Sequence, residues 1–200
     1  MNEMFFHWMF VFVFITFMGI RAVYQRKAQQ TRGKIEYREN RLMLLFRLGI
    51  GIPFMLLVLA YMIRPGILAW ATVALPDLLQ WLGVLLGLAS LPLIWWVQEA
   101  LGSNFSTTLH VRSEHTLVTQ GPYRWVRHPM YTVLYMVLLA VFLLTGNWLI
   151  SGVFLVSMTM IVLFRLGNEE AVMLEKFGED YRRYMQRTGR FLPRLTSKFG

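Results

Sequence analysis

Residues 130–166 read MYTVLYMVLLAVFLLTGNWLISGVFLVSMTMIVLFRL, and the only charge among them is Arg165. Two apolar runs, 130–145 and 147–166, are parted by nothing longer than Thr145, Gly146 and Asn147. A connection that short joins two antiparallel helices. A bilayer core about 30 Å thick takes roughly 20 apolar residues per helix, so the stretch reads as a tight membrane hairpin. The same yardstick upstream picks out 4–24, 42–63 and 78–101. The expected fold class is therefore an all-α integral membrane protein of about five transmembrane helices, a single domain over residues 1–200. Residues 65–75 are also apolar but too few to cross, and with Pro65 and Pro76 at their ends they read as a re-entrant or interfacial segment. After the hairpin, Val172, Leu174, Phe177, Tyr181 and Tyr184 recur at helical spacing among charges. That pattern predicts a surface helix over 168–187 lying along the membrane.

Composition agrees with the spans. Of 200 residues 56% are hydrophobic and 16% charged. The net charge of +9 could suggest nucleic acid, but the basic residues are segregated by loop, and seventeen of the twenty fall in 24–41, 102–128 or the tail from Arg165. Membrane topology accounts for that better, so no nucleic-acid partner is expected. By the positive-inside rule the amino terminus is outside and the carboxyl terminus cytoplasmic. The first apolar run lacks a basic n-region and a small-residue cleavage site, so it reads as a retained helix. There is no cysteine, which removes disulfides, thiolate metal sites and Cys nucleophiles. His7 and His110 have no partner at ligand spacing, and no metal is expected. Gly83 and Gly87 have small-xxx-small spacing and point to helix packing.

Two polar clusters flank the hairpin. The first is 117–131, LVTQGPYRWVRHPMY. Gly121-Pro122 marks a turn, His128 is pushed to an extended conformation by the proline after it, and Pro129 suits the first position of a helix. The free amides of that helix start, with Arg127 and His128 beside them, form a ready anion site. The same residues would also serve as a positive-inside anchor with a belt of aromatics, and both readings stand. The second cluster holds Arg165, Glu169 and Glu170. Four residues apart, Arg165 and Glu169 share a face if the helix continues through Gly167. They either pair with each other or hold a ligand's head group.

Gly121-Pro122-Tyr123, then Arg127-His128-Pro129-Met130-Tyr131, an apolar hairpin, Arg165 with Glu169 and Glu170, Phe177-Gly178, and Phe191-Leu192-Pro193 occur here in order. This ordered set resembles the isoprenylcysteine carboxyl methyltransferase family, and more loosely the wider membrane phospholipid methyltransferases. The resemblance covers about the carboxyl-terminal half. It implies methyl transfer from S-adenosylmethionine, with the cofactor bound on the cytoplasmic side by the loop before helix 4, the end of helix 5 and the carboxyl-terminal helix. No Gly-rich dinucleotide fingerprint is present. Carried over residue by residue, the resemblance assigns cofactor binding to His115, Leu117, Val118, Tyr123, His128, Pro129, Met130, Tyr131 and Glu169. It assigns the acceptor side to Arg165, with Arg165 and Glu169 as the catalytic pair.

The chain departs from the eukaryotic enzymes in having Gly167-Asn168 before its two acids and Val133 where a small residue is common, and its size is closer to prokaryotic members. The resemblance thus implies an integral, multi-pass protein, of a prokaryotic inner membrane, and a lipophilic or prenylated acceptor among membrane lipids. An isoprenylcysteine-type carboxylate is the first expectation. A phospholipid amine or a small thiol, a nicotinamide-dependent reductase of related core, and a non-catalytic membrane protein are the alternatives.

Overall fold

The computed structural model describes residues 2–30, 35–38, 41–102, 110–112 and 116–194. Five helices account for most of them: α1 (Asn2–Gln30), α2 (Arg41–Ile63), α3 (Asp77–Leu101), α4 (Pro129–Thr145) and α5 (Trp148–Arg187). Two 3₁₀ segments, Pro65–Ala71 and Gly121–Arg124, lie between them. A short antiparallel ribbon pairs β1 (Ile35–Arg38) with β2 (His110–Arg112). Strands of 4 and 3 residues carry too little alternation to be seen in hydropathy, so the ribbon is an addition to the all-α expectation.

The helices differ in length and apolarity. Among the described residues, α1, α3 and α5 are each long and apolar enough to cross a membrane. Residues 48–63 of α2 pass only together with the 65–71 segment, from which they are bent by 113°. α2 stops there because Pro65 disfavours helical backbone in the residue before it. α4, with 17 residues, is a shorter apolar helix. By length and composition, three of the described helices, or four with the bent pair, are long enough to cross, and α4 is the shorter apolar helix of the expected hairpin. The stretch expected as a fifth span runs on through Gly167 into the expected surface helix. The break comes at Gly178 (φ 52°, ψ −122°), a conformation that only glycine adopts readily.

The chain divides into two compact units. The first takes residues 1–19, 40–92 and 134–161. Its core includes Phe6, Phe10 and Val13 of α1. Gly83 and Gly87 let α3 approach its neighbours: a Cβ on Gly83 would stand 2.8 Å from Leu143 Cβ, and one on Gly87 3.0 Å from a Val13 methyl. The α4–α5 turn is built around Asn147, which is wholly buried. Its Oδ1 accepts the Ile150 N–H at 3.0 Å and caps α5. Its Nδ2 donates to the Leu68 carbonyl at 2.9 Å and to Thr72 Oγ1 at 3.1 Å. With Val73 N–H donating to the Gly146 carbonyl at 2.9 Å, the 65–73 stretch is tied to this turn.

The second unit takes residues 20–39, 93–133 and 162–200. Tyr24 and Ala28 of α1 pack against Leu101 of α3 and Met130 of α4. The Tyr24 hydroxyl donates to Glu99, and Arg21 reaches Met130 Sδ at 3.3 Å. The chain beyond α5 pairs with the entry to α4. Arg127 N–H donates to the Gly189 carbonyl at 2.8 Å, His128 N–H to that of Arg190 at 3.1 Å, and Gly189 N–H to that of Trp125 at 3.1 Å.

Candidate active site

Both polar clusters fall in the second unit and meet there. His128 sits at the head of α4, where its carbonyl accepts the N–H groups of Tyr131 and Thr132 at 3.1 and 3.4 Å. Pro129 follows in the first helical position, where its missing N–H forfeits no bond. One turn on, the Tyr131 ring stacks on the His128 ring at 5.8 Å between centroids, and Phe191 packs edgewise on Tyr131. From α5, Glu169 Oε1 accepts Arg165 Nε at 2.7 Å and Oε2 accepts the Tyr131 hydroxyl at 3.0 Å, with His128 Nδ1 at 3.7 Å. The helix continuing through Gly167 is what puts Arg165 and Glu169 on one face. His128, Tyr131, Arg165 and Glu169 are thus a single cluster.

Glu170 organises its rim. Oε1 accepts Arg127 Nε at 3.3 Å, His128 Nε2 at 3.2 Å and Arg190 Nε at 3.3 Å, and Oε2 accepts Arg190 Nη2 at 2.5 Å. The apolar run of α5 ends at Leu166, so this carboxyl lies beyond the membrane-spanning part. Burial opposes its charge, but the hydrogen bonds and positive charges of His128 and Arg190 outweigh that and pull its pKa down to about 2. Arg127 also donates to the carbonyls of Met185 and Thr188 at 3.0 and 2.6 Å. Those two bonds close the end of α5.

The other expected residues divide. Tyr123 is buried in the 121–124 turn, where its carbonyl accepts the Tyr184 hydroxyl at 2.7 Å. Burial first, then the neighbouring Tyr184 and Glu169, push its phenol well above the ordinary range and keep it a neutral donor. Gly121 (φ 60°) shapes that turn, where a Cβ would stand 3.1 Å from that of Ala100. Leu117 and Val118 are half-buried in irregular backbone. Met130 packs against the Tyr24 and Ala28 cluster. His115 lies outside the described residues.

Sequence reasoning did not single out Glu170 or Arg190 as site residues. The signal was a second carboxylate beside Glu169 with surplus arginine on both sides, which has no directional information until the helices are placed. Gln98 was missed as well. It is fully buried in the same unit, and neither atom of its amide has a partner among the described residues.

Residues 81–175, which include every described member of the cluster except those after α5's break, match the model of the Isoprenylcysteine carboxyl methyltransferase (ICMT) family. Over that stretch the chain is similar to the ICMT family. The protein-S-isoprenylcysteine O-methyltransferase of Tribolium castaneum is 32% identical over 94 residues, 46% of this chain and 34% of that protein. Its counterpart in Schizosaccharomyces pombe is 31% identical over 80 residues, 40% of this chain and 34% of that one. The uncharacterized protein YpbQ of Bacillus subtilis is 27% identical over 96 residues, 48% of this chain and 57% of its own length. The solved eukaryotic intramembrane Ras methyltransferase ICMT superposes with a TM-score of 0.51 at 22% identity, over 79% of this chain and 54% of that one. At that identity the likeness is one of fold. The matched part spans about a third of the length of the named ICMT relatives. The apolar helices, several of them long enough to cross a bilayer, are those of a multi-pass membrane protein.

Proposed function

We propose that the chain is an S-adenosylmethionine-dependent membrane methyltransferase that acts on the head group of a lipophilic acceptor, first an isoprenylcysteine-type carboxylate. The observation that carries this reading is the Glu169 carboxylate, held by Arg165 and Tyr131 beside the His128 ring at the opening of α4. The residues fit such a cofactor. A carboxylate offers about four lone-pair sites, and hydroxyl and cationic groups are what Glu169 accepts from. Tyr131, His128 and Phe191 provide aromatic surface beside it. Leu117, Val118, Tyr123, Pro129 and Met130 would complete the pocket, with His115.

S-adenosylmethionine supplies a methyl group already activated on a sulfonium. The chain's own residues then have chiefly to position the acceptor and exclude water, effects that can contribute roughly 7–11 kcal/mol. A carboxylate is ionised at neutral pH and needs no base. Arg165 would orient it, since a guanidinium matches a carboxylate with two parallel N–H groups. An amine or thiol acceptor would need a base, for which His128 and Glu169 are the candidates.

Calorimetry of detergent-purified protein with S-adenosylmethionine, followed by methyl transfer to an S-prenylated N-acetylcysteine, tests the proposal. Wild type should bind, and Glu169→Ala and His128→Ala should lose binding by tenfold or more. A folded wild type that does not bind sinks the methyltransferase reading. Binding without transfer to the prenylated acceptor, but with transfer to an amine lipid, would move the acceptor and keep the reaction class.

A further inference from the structure

The segment after α5 lies across the head of α4 and is held there residue by residue. Three successive carbonyls, of Gly189, Arg190 and Phe191, accept the Arg127 N–H at 2.8 Å, the His128 N–H at 3.1 Å and the Thr132 hydroxyl at 2.7 Å. A Cβ on Gly189 would fall 1.7 Å from the Leu192 carbonyl oxygen, so this close turn has room only for glycine. The backbone fixes where the Arg190 side chain starts. Glu170 fixes where it ends, accepting Nε at 3.3 Å and Nη2 at 2.5 Å. The same Glu170 oxygen that takes Arg190 Nε also takes His128 Nε2, and the ring of Phe191 lies 6.3 Å from that of His128 and 6.4 Å from that of Tyr131. The Arg190 guanidinium therefore stands on the rim of the cluster, one carboxylate away from His128.

Three arginines serve this cluster, and they differ in what they still offer. The Arg127 and Arg165 side chains are only 9% and 11% exposed. Arg127 is engaged by Glu170 and by the carbonyls of Met185 and Thr188, and Arg165 holds Glu169. Arg190 is 51% exposed, and its Nη1 has no partner among the described residues. The single negative charge of Glu170 is shared by two guanidinium groups and the His128 ring, which leaves this rim positive. A cation held in place with an open face and an unused donor suits an anion from outside the chain, and a carboxylate matches two N–H groups of one guanidinium. The Glu170 carboxyl that holds it lies beyond the apolar run of α5, where a water-soluble ligand arrives.

We propose that Arg190 binds the carboxylate at the methionine end of the cofactor, with Glu170 holding the guanidinium in position. This rests on the S-adenosylmethionine reading and deepens it. The residues that the family resemblance assigns to the cofactor include no Lys or Arg, and His128 among them has both ring nitrogens facing carboxylates. Glu169 answers the cofactor's positive charge, Arg165 the acceptor's head group, and Arg190 the one negative group that the cofactor carries.

Calorimetry of the full chain in a neutral detergent, without added lipid, compares S-adenosylmethionine with its decarboxylated form, which keeps the sulfonium, the amine and the adenosine. Wild type should bind the carboxylate-bearing form about tenfold or more tightly, as charge-assisted hydrogen bonds imply. Arg190→Gln should bind the two forms alike, within about twofold of the affinity of wild type for the decarboxylated one. Equal binding of the two forms by wild type overturns the assignment without any variant and leaves the methyltransferase reading standing. A folded Arg190→Gln that keeps the preference, or that weakens both forms by the same factor, overturns it too, the latter making Arg190 a support for Glu170 alone. Binding of neither form by folded wild type removes the inference together with the reading beneath it.

Discussion

Glu170 is the residue whose behaviour can be stated most sharply. Its folded pKa of about 2 is below the ordinary 4.5, so the folded state favours the ionised form. The stabilisation is complete above pH 4.5 and is lost as pH falls towards 2. Thermal unfolding followed from pH 7 to pH 3 should show wild type losing midpoint temperature steeply below about pH 4.5. Glu170→Gln should be less stable at pH 7, by about 2–4 kcal/mol, with a flatter acid limb. Superposable profiles would show that the four bonds to Glu170 contribute little. Arg165 calls for kinetics instead. Arg165→Lys keeps the charge but not the planar fork, and should raise KM for a carboxylate acceptor about tenfold while binding S-adenosylmethionine within twofold of wild type. Unchanged KM would remove Arg165 from the acceptor side.

At the scale of elements, the α4–α5 turn was legible and its anchoring was not. Gly146 and Asn147 announce a turn by their residue type. That Asn147 also holds Leu68 and Thr72 depends on where a segment some 75 residues earlier comes to lie. Gly146 has φ 61°, and a Cβ there would press on the Val73 carbonyl. Gly146→Ala therefore combines left-handed strain with a backbone clash, and Asn147→Ala removes a helix cap and the hydrogen bonds to Leu68 and Thr72. Each should lower stability by about 2–4 kcal/mol in thermal or denaturant unfolding in detergent. Gly152→Ala, with open space at its Cβ, should be within about 1 kcal/mol of wild type. Equal losses in all three would mean that the turn is not specially held. The continuity of α5 was hidden for the opposite reason. Gly167 reads locally as a helix end, but the Arg165–Glu169 pair spans it and the helix runs on to a glycine that truly breaks it.

For the whole molecule, the absence of cysteine makes orientation directly measurable. Single cysteines at Glu3 and at the exposed Arg182 should label from opposite sides of sealed vesicles, Arg182 from the cytoplasmic side, as loop charge predicts. Labelling of both from one side would overturn the topology. By itself the sequence determined the class of the molecule, because crossing a bilayer requires long apolar helices and hydropathy reports that without any tertiary contact. It also carried the family resemblance, through an ordered run of residues, and offered the pairing of Arg165 with Glu169, local to one helix, as one of two readings. Only the tertiary structure decided that Tyr131 and His128 join that pair, that Arg127 serves Glu170 and the end of α5, and that the 65–73 stretch rests on Asn147. These are contacts between residues 38 to 79 positions apart, and side-chain hydrogen bonds over such separations follow from how helices pack, which no local pattern encodes.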